Sequence, residues 1–457
     1  MTQPWRGTLA ALFLACALIV AAPQTSVASE PALAPGEIVL PDGLTVMIKH
    51  GTASGSVALE VWVRCPSDGW TDAQPGIARL TAFTAMSTAS NGTTMRDLVR
   101  AAGGQIAVSV FQTGTEFTVL APADAGPALE TALLKHIFDA PFDPAALIDA
   151  KTRLAAQQAA AGASASAIMR DAVFNALFAG GPLHASTLGD AQAVESTSIA
   201  DVRAFAAAAY IPQNAIVVSV GNADPAALLA AVQGAAPAGA AAAQPLPLSS
   251  PASQASPLAL TPLGADAPGA ALAWVGPPIS DEREATAMDF LSDYLADPDA
   301  GVLTHAATNG STTEDFAGQF ITLHQSGVFF VSIAGDGIDP TAELQALRNK
   351  LDAEIASPLS KDEFSNALAA YETRLLRQMD SPVGMADNYG WYFVEGAPGY
   401  APSATDAGQS GDYFAQAQSL TPDFVHSVAQ KFLGTAPAEV TVVPRKVPVN
   451  VSTEGGT

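Results

Sequence analysis

Basic residues are scarce in this sequence. Its 457 residues include 20 Lys and Arg against 44 Asp and Glu, which gives a formal net charge of −24. Nucleic-acid binding and adhesion to anionic membranes both require clustered basic residues, so we expect neither. Hydrophobic residues make up 49% of the chain, which is enough for a large core and excludes a chain that is disordered throughout.

Cysteines and closely spaced histidines are also scarce. Cys16 lies in the apolar N-terminal run, so Cys65 stands alone in the mature chain and no internal disulfide is expected. We expect Cys65 to be a small buried residue rather than a nucleophile. No two histidines are a helical turn apart and no CxxC occurs, so the residue pattern predicts no metal site. The chain also has no G-x-S-x-G, P-loop or dinucleotide-binding motif.

The N-terminal 28 residues have the pattern of a secretory signal peptide. Arg6 precedes an apolar run, GTLAALFLACALIVAA, and SVA at 26–28 has the small-x-small pattern of a cleavage site. The pattern predicts an exported protein, periplasmic or in the cell envelope, that starts near Ser29. An uncleaved anchor is the alternative. No other apolar run reaches about 18 unbroken residues, so no membrane span is predicted after signal cleavage.

The mature chain has two halves with the same order of elements. Residues 29–233 and 270–446 each combine strand-like alternation with several helical patterns. The segment EFTVLAPADAGPALETALLKHI aligns with FFVSIAGDGIDPTAELQALRNKL, which pairs Val119 with Val331. A repeat this long indicates two homologous domains rather than a solenoid.

The segment 234–269 joins the two halves. It is rich in Ala, Pro, Ser and Gly and has little charge, which predicts an extended linker, and residues 447–457 are expected to be a tail. The predicted fold class is therefore α+β. Each of the two homologous domains is expected to have an antiparallel sheet with helices packed on one face.

Four segments in order resemble a known peptidase family. They are GLTVMIK, GIARLTAF, GPLHASTLGD and SIADVRAFAAAAYIPQNAIVVSVGN. Together they resemble the pitrilysin/insulinase family of zinc metallopeptidases, or inverzincins, over about residues 36–444. That family carries an inverted zinc motif, H-x-x-E-H, on a helix. The two histidines grip the zinc ion, and the glutamate acts as base on a zinc-bound water.

The resemblance implies that this chain has lost the zinc motif. Arg79 stands where the first histidine belongs, Ala82 at the catalytic glutamate and Phe83 at the second histidine. The third ligand should fall at Gln157, within about one residue. Arginine stays protonated, and alanine and phenylalanine offer no ligand or base. The chain is therefore expected not to be an enzyme by itself, and its helix to be either a disarmed zinc helix or an ordinary core helix.

The resemblance also bears on substrate binding. The family holds the substrate backbone with an arginine and a tyrosine, which would fall near Thr308 and at Asp315 or Phe316, so this pair is expected to be lost. Tyr389 and Tyr392, with Trp391 between them, are candidates for lining a peptide chamber. At helical spacing such aromatic residues are more often core residues.

These observations predict a non-catalytic, pitrilysin-like protein without a cofactor of its own. It resembles the inactive subunit of heterodimeric processing-peptidase-like enzymes from bacteria and mitochondria, so the expected partner is a homologous, zinc-bearing peptidase subunit, and the ligand is a peptide. The alternatives are a peptide-binding or scaffold protein of the cell envelope, and a hydrolase with an unrecognised site. A homodimer also remains open.

Overall fold

The computed structural model describes most of the chain beyond the predicted signal peptide. The described residues are 36–50, 55–70, 74–235, 243–252, 257–304, 315–379, 381–396 and 413–445. The predicted signal peptide, the predicted tail, Thr308 and parts of the predicted linker lie outside these ranges. Within them, no helix is both long enough and apolar enough to cross a membrane.

The elements follow one another in two similar series. Those of the first half are β1 (Gly36–Val39), β2 (Thr45–His50), β3 (Ser56–Arg64), α1 (Ile77–Ser87), α2 (Met95–Ala101), β4 (Gln105–Val110), β5 (Gly114–Pro122), α3 (Gly126–Phe138), α4 (Pro144–Gly162), α5 (Ala165–Leu177), β6 (Phe178–Gly180), α6 (Ala191–Ser196), α7 (Ile199–Ala209), β7 (Ala215–Gly221) and α8 (Pro225–Ala235). Those that follow are β8 (Ser250–Pro251), β9 (Leu258–Leu260), β10 (Gly269–Val275), α9 (Glu282–Ala296), β11 (Asp315–Ile321), β12 (Val328–Ala334), α10 (Pro340–Glu354), α11 (Lys361–Met379), α12 (Pro382–Glu395), α13 (Tyr413–Gln418), α14 (Pro422–Phe432) and β13 (Ala438–Val442).

The first sheet has six strands in the order β1-β2-β7-β3-β5-β4. β2 and β7 run parallel, and the other neighbouring strands are antiparallel. On one face, alternate residues of β3 such as Leu59 and Val61 join α1, α3 and α4 in the first core. The central strands β3 and β7 are buried almost throughout, which explains their nearly continuous apolar sequences.

The second sheet has five strands in the order β11-β12-β10-β13-β9. Only the β9–β13 pair is parallel. Trp274 and Phe329 lie on the face that packs against α9, α10 and α14 in the second core. The predicted class is confirmed, because the chain consists of two α+β halves with largely antiparallel sheets.

Each half also covers the free face of the other half's sheet. α12 of the second half lies across β3 and β7 of the first sheet, where Tyr389 packs in one cluster with Trp62. α5 of the first half lies across β10, β12 and β13 of the second sheet, where Met169 packs in one cluster with Phe330. We call α5 and α12 the exchanged helices. The sequence predicted helices on one face of each sheet, and the structure adds this second layer from the other half.

Parts of the predicted linker are paired with strands. β8 pairs with β6 of the first half, and β9 runs parallel to β13 at the edge of the second sheet. The indole of Trp70 also donates a hydrogen bond to the carbonyl oxygen of Pro245 at 3.2 Å. The described parts of this segment therefore contact both halves.

Candidate functional site

The helix predicted to carry the degenerate motif, α1, is part of the first core. Gly76 precedes it with a φ of 90°, and a Cβ there would lie 3.1 Å from the carbonyl oxygen of Leu188. Glycine fits this position because it accepts a left-handed conformation and a close backbone contact. Ala82 is fully buried and Phe83 is only 2% exposed. Ala82 and Phe83 therefore face protein rather than a solvent-filled cleft, whereas Arg79 is half-buried.

Arg79 lies in the first turn of α1 and bonds to two backbone carbonyls. Its Nη2 donates to the oxygen of Val110 at 3.1 Å, and its Nε donates to that of Thr187 at 3.3 Å. Nη2 also donates to the hydroxyl of Thr187 at 3.4 Å. Burial first, and then the charge of Arg170, lowers the pKa of Arg79 to about 10. The guanidinium is therefore protonated at neutral pH and cannot ligate a metal ion.

The remaining predicted positions do not complete a zinc site. The guanidinium of Arg153 on α4 lies over the ring of Phe83, 4.3 Å from its centroid. Gln157 is exposed, whereas Gln158 turns toward α1 and donates to the carbonyl oxygens of Leu188 at 3.0 Å and Gly189 at 3.2 Å. A protonated guanidinium, a methyl group, a buried ring and an exposed amide do not fit zinc.

Arg79 and Gln158 instead hold one loop. Arg79 bonds to Thr187, and Gln158 bonds to Leu188 and Gly189, so both side chains fasten residues 187–189 beside the start of α1. We call residues 187–189 the clamped loop. It belongs to the predicted GPLHASTLGD motif, so two of the resembling segments meet here.

The aromatic candidates on α12 lie in or beside the packing between the halves. Tyr389 is buried, with its ring 5.9 Å from the ammonium nitrogen of Lys49. Trp391 donates to the carbonyl oxygen of Thr322 at 2.9 Å and packs edge-on against Phe111, with centroids 5.0 Å apart. Tyr392 is half-buried and packs against Ile279. Their role in lining a chamber stays a prediction.

Two other predicted positions can be placed. Asp315 and Phe316 open β11, and Phe316 packs against the second core. Cys65 is fully buried, and burial raises the pKa of its thiol to about 12. A thiol with so high a pKa is a poor nucleophile, which agrees with the expected structural role.

A cluster of three buried carboxylates went unnoticed in the sequence. Glu60 on β3, Glu116 on β5 and Asp387 on α12 are 0%, 3% and 7% exposed, and one carboxylate oxygen from each lies within 4.8 Å of the others. We call these residues the carboxylate triad. An acidic residue in the middle of an apolar strand was the available signal for Glu60 and Glu116. Nothing in the sequence places Asp387 beside them.

Burial dominates the ionisation of the triad. It raises the pKa of Asp387 to about 8, with help from the charge of Glu116. It raises that of Glu60 well above its usual range, with help from the charges of Asp387 and Glu116. The pKa of Glu116 is also raised, although hydrogen bonds from Thr118 and Ser109 oppose the rise.

Comparisons with known proteins agree with this fold. Residues 196–371 match the family model described as the peptidase M16 inactive domain. A protease from Helicobacter pylori aligns with a TM-score of 0.78 and 15% identity, over 90% of this chain and 99% of that one. An M16-like peptidase from Alicyclobacillus acidocaldarius gives 0.76 and 16%, over 91% and 99%. A peptidase M16 inactive domain from Pseudomonas fluorescens gives 0.73 and 16%, over 91% and 98%.

These structural alignments establish the fold, because the identities are too low to show more. The family model matches one segment of the chain. A search of proteins of curated function finds no match. The matched segment runs from the end of α6 into α11, so it spans the end of the first half and more than half of the second. Residues 196–371 thus match the peptidase M16 inactive-domain family, and the chain has the two-domain fold of M16 peptidases, which confirms its resemblance to pitrilysin-like peptidases.

Proposed function

We propose that this chain is the accessory subunit of a heterodimeric zinc metallopeptidase and completes its peptide chamber. In this proposal α1 is the counterpart of the zinc helix, with Arg79, Ala82 and Phe83 at the motif positions. The observation that carries it is the state of those positions. Ala82 and Phe83 are buried in the core, and the guanidinium of Arg79 donates hydrogen bonds to backbone carbonyls. With these positions in contact with protein, α1 would not bind zinc, so the zinc-dependent catalysis would come from another chain.

The partner would then be a homologous subunit that carries H-x-x-E-H and the zinc ion. The chain would work after export, in the periplasm or cell envelope, and would bind peptide together with its partner. Its match to an inactive M16 domain supports a non-catalytic role. The partner's identity, the export and the heterodimer are parts of the proposal.

The first test is a tagged pull-down from the cell envelope of the native host, with mass spectrometry of the co-purifying proteins. We expect a stoichiometric partner with an intact H-x-x-E-H motif. Finding the chain alone, with itself or with unrelated envelope proteins would overturn the accessory-subunit proposal and favour a peptide-binding or scaffold protein.

A reconstitution assigns the chemistry. Peptide hydrolysis is measured for this chain, for the partner and for the pair, each with and without a zinc chelator. We expect cleavage by the pair alone, lost with chelator and lost when the motif glutamate of the partner is changed to glutamine. Cleavage by this chain after purification to homogeneity, insensitive to chelator, would show instead that it has a catalytic site of its own.

A further inference from the structure

The carboxylate triad lies where the two halves meet. Glu60 and Glu116 project from neighbouring strands of the first sheet, and Asp387 comes from the exchanged helix α12 of the second half. The three residues are therefore brought together only in the complete fold. Neither the zinc motif nor the proposed peptidase partner involves them, so their role is a separate question.

The triad has hydrogen bonds, with Asp387 bonded to both Glu60 and Glu116, but one oxygen of each residue is left without a partner. Glu60 Oε2 accepts a hydrogen bond from Trp62 Nε1 at 2.7 Å, and Glu116 Oε1 accepts one from the hydroxyl of Thr118. The other oxygens, Glu60 Oε1 and Glu116 Oε2, have no hydrogen-bond partner, and neither has Asp387 Oδ1. Among the described residues, no Lys, Arg or His forms a salt bridge with any of the three.

Such an arrangement is stabilised by a nearby positive charge. A buried carboxylate is stable when it is paired, metal-bound or protonated, and three of them in contact repel one another when ionised. Three unsatisfied oxygens, each on a side chain more than nine-tenths buried, are what a cation site presents before its ion is added. They are the observation that separates this cluster from an ordinary group of acidic residues.

The spacing allows one ion to contact all three side chains. One carboxylate oxygen from each lies within 4.8 Å of the others. Oxygens on opposite sides of a bound Ca²⁺ lie about 4.6–5.2 Å apart, and those around Mg²⁺ about 4.0–4.2 Å. Ser109 pairs directly with Glu116 across β4 and β5, so its hydroxyl is on the same face as the triad and can supply a further oxygen.

We propose that Glu60, Glu116 and Asp387 bind a divalent cation that prefers oxygen ligands, such as calcium. The ion would fasten α12 to β3 and β5 and so tie the second half to the first. This site is structural and does not depend on the accessory-subunit proposal. A failure of one therefore leaves the other intact.

The test uses the whole mature chain, stripped of metal by chelator. Calcium, magnesium and manganese are each added back, and bound metal and melting temperature are measured. We expect about one ion per chain and a rise in melting temperature of about 2 °C or more for the preferred ion. A chain that binds none of the three ions, and melts at the same temperature with and without them, would overturn the proposal and indicate that protons neutralise the triad.

Terbium luminescence reports where in the protein the ion binds. The indole of Trp62 bonds to Glu60, so terbium held by the triad would emit light on excitation of that tryptophan, and calcium would quench the emission by displacement. Asp387→Asn and Glu116→Gln keep the side-chain shapes and should abolish both the emission and the calcium-dependent rise. Glu130→Gln is the matched control, because Glu130 is fully buried in the first half but lies outside the triad, and it should keep both. Emission that persists in Asp387→Asn would place the ion elsewhere.

Discussion

The charged guanidinium of Arg79 lies between α1 and the clamped loop. Its guanidinium donates to the carbonyl oxygens of Val110 and Thr187. Hydrogen bonds from a charged donor are stronger than those between neutral groups, and a buried carbonyl left without a donor is costly. Arg79 thus has a structural role of its own.

We expect Arg79→Ala to lower the free energy of unfolding by about 1–3 kcal/mol, because it removes the charged donor from the carbonyls of buried Val110 and half-buried Thr187. Urea unfolding followed by circular dichroism measures the change. Arg100→Ala is the control, since Arg100 is 71% exposed and pairs only with Asp97 on the surface, and it should cost at most about 1 kcal/mol. Equal effects of the two substitutions would show that the clamped loop does not depend on Arg79.

Glu130 makes a second prediction at this scale, on pH. It is fully buried, accepts a hydrogen bond from Ser219 at 3.0 Å, and burial raises its pKa to about 8. In the unfolded chain the same group ionises near pH 4.5. Between these values the folded state binds the extra proton, so stability should fall as pH rises, by about 1.4 kcal/mol per unit for this group.

Glu130→Gln replaces the carboxyl with an amide that does not titrate. The variant should therefore gain stability relative to wild type as pH rises from 5 to 8. Other buried acids titrate in the same interval, so the measurement is the difference between the two melting temperatures at each pH. That difference should be smallest at pH 5 and largest near pH 8. A difference that does not change with pH would contradict the raised pKa.

At the scale of elements, α12 packs on the first sheet through a glycine. A Cβ on Gly390 would lie 2.1 Å from Cδ1 of Trp62, whose ring is fully buried. Glycine weakens a helix interior by up to about 1 kcal/mol relative to alanine, so its presence here has a packing reason. It lets the exchanged helix approach the indole ring.

We expect Gly390→Ala to destabilise the protein by about 1–3 kcal/mol, because the added methyl group forces α12 away from Trp62. Gly162→Ala is the matched control, since a Cβ at this helical glycine of α4 meets nothing within 4 Å, and it should be neutral or stabilising. Thermal melts of the two variants decide the matter. A stable Gly390→Ala protein would mean that the halves pack less tightly than described.

Local elements could be predicted from the sequence, and contacts between the halves could not. The internal repeat aligns Val119 with Val331, and these residues lie on the corresponding strands β5 and β12, each followed by a helix. Tyr389 and Trp391 were recognised as aromatic residues at helical spacing, but that spacing does not state which sheet they face. Glu60 and Asp387 illustrate the same limit, because their approach depends on packing between distant segments.

At the scale of the whole molecule, the exchanged helices make the halves dependent on each other. α5 and α12 each fill the open face of the opposite sheet, and Arg64 on β3 donates to the carbonyl oxygen of Val394 at 2.8 Å. A half by itself would expose a large apolar surface, which soluble proteins rarely do. The predicted linker is therefore not what keeps the halves together.

A cut in the linker tests this dependence. We expect a protein with a protease site inserted between residues 236 and 242 to elute as one species after cleavage and to unfold in one transition. The first half produced alone should bind a hydrophobic dye or aggregate, and production together with the second half should restore the complex. Separation of the cleaved halves on gel filtration would count against the structural role of the exchange.

During synthesis, α12 is made much later than the strands of the first sheet that it covers. Arg64 and Val394, which contact each other in the fold, are 330 positions apart. At about 5–20 residues per second, roughly 15–65 s separate their emergence from the ribosome. During that interval the face of the first sheet around Trp62 has no cover, and unfinished apolar strands aggregate readily. We therefore expect this face to need protection, by delayed folding or by a chaperone, until α12 has been made.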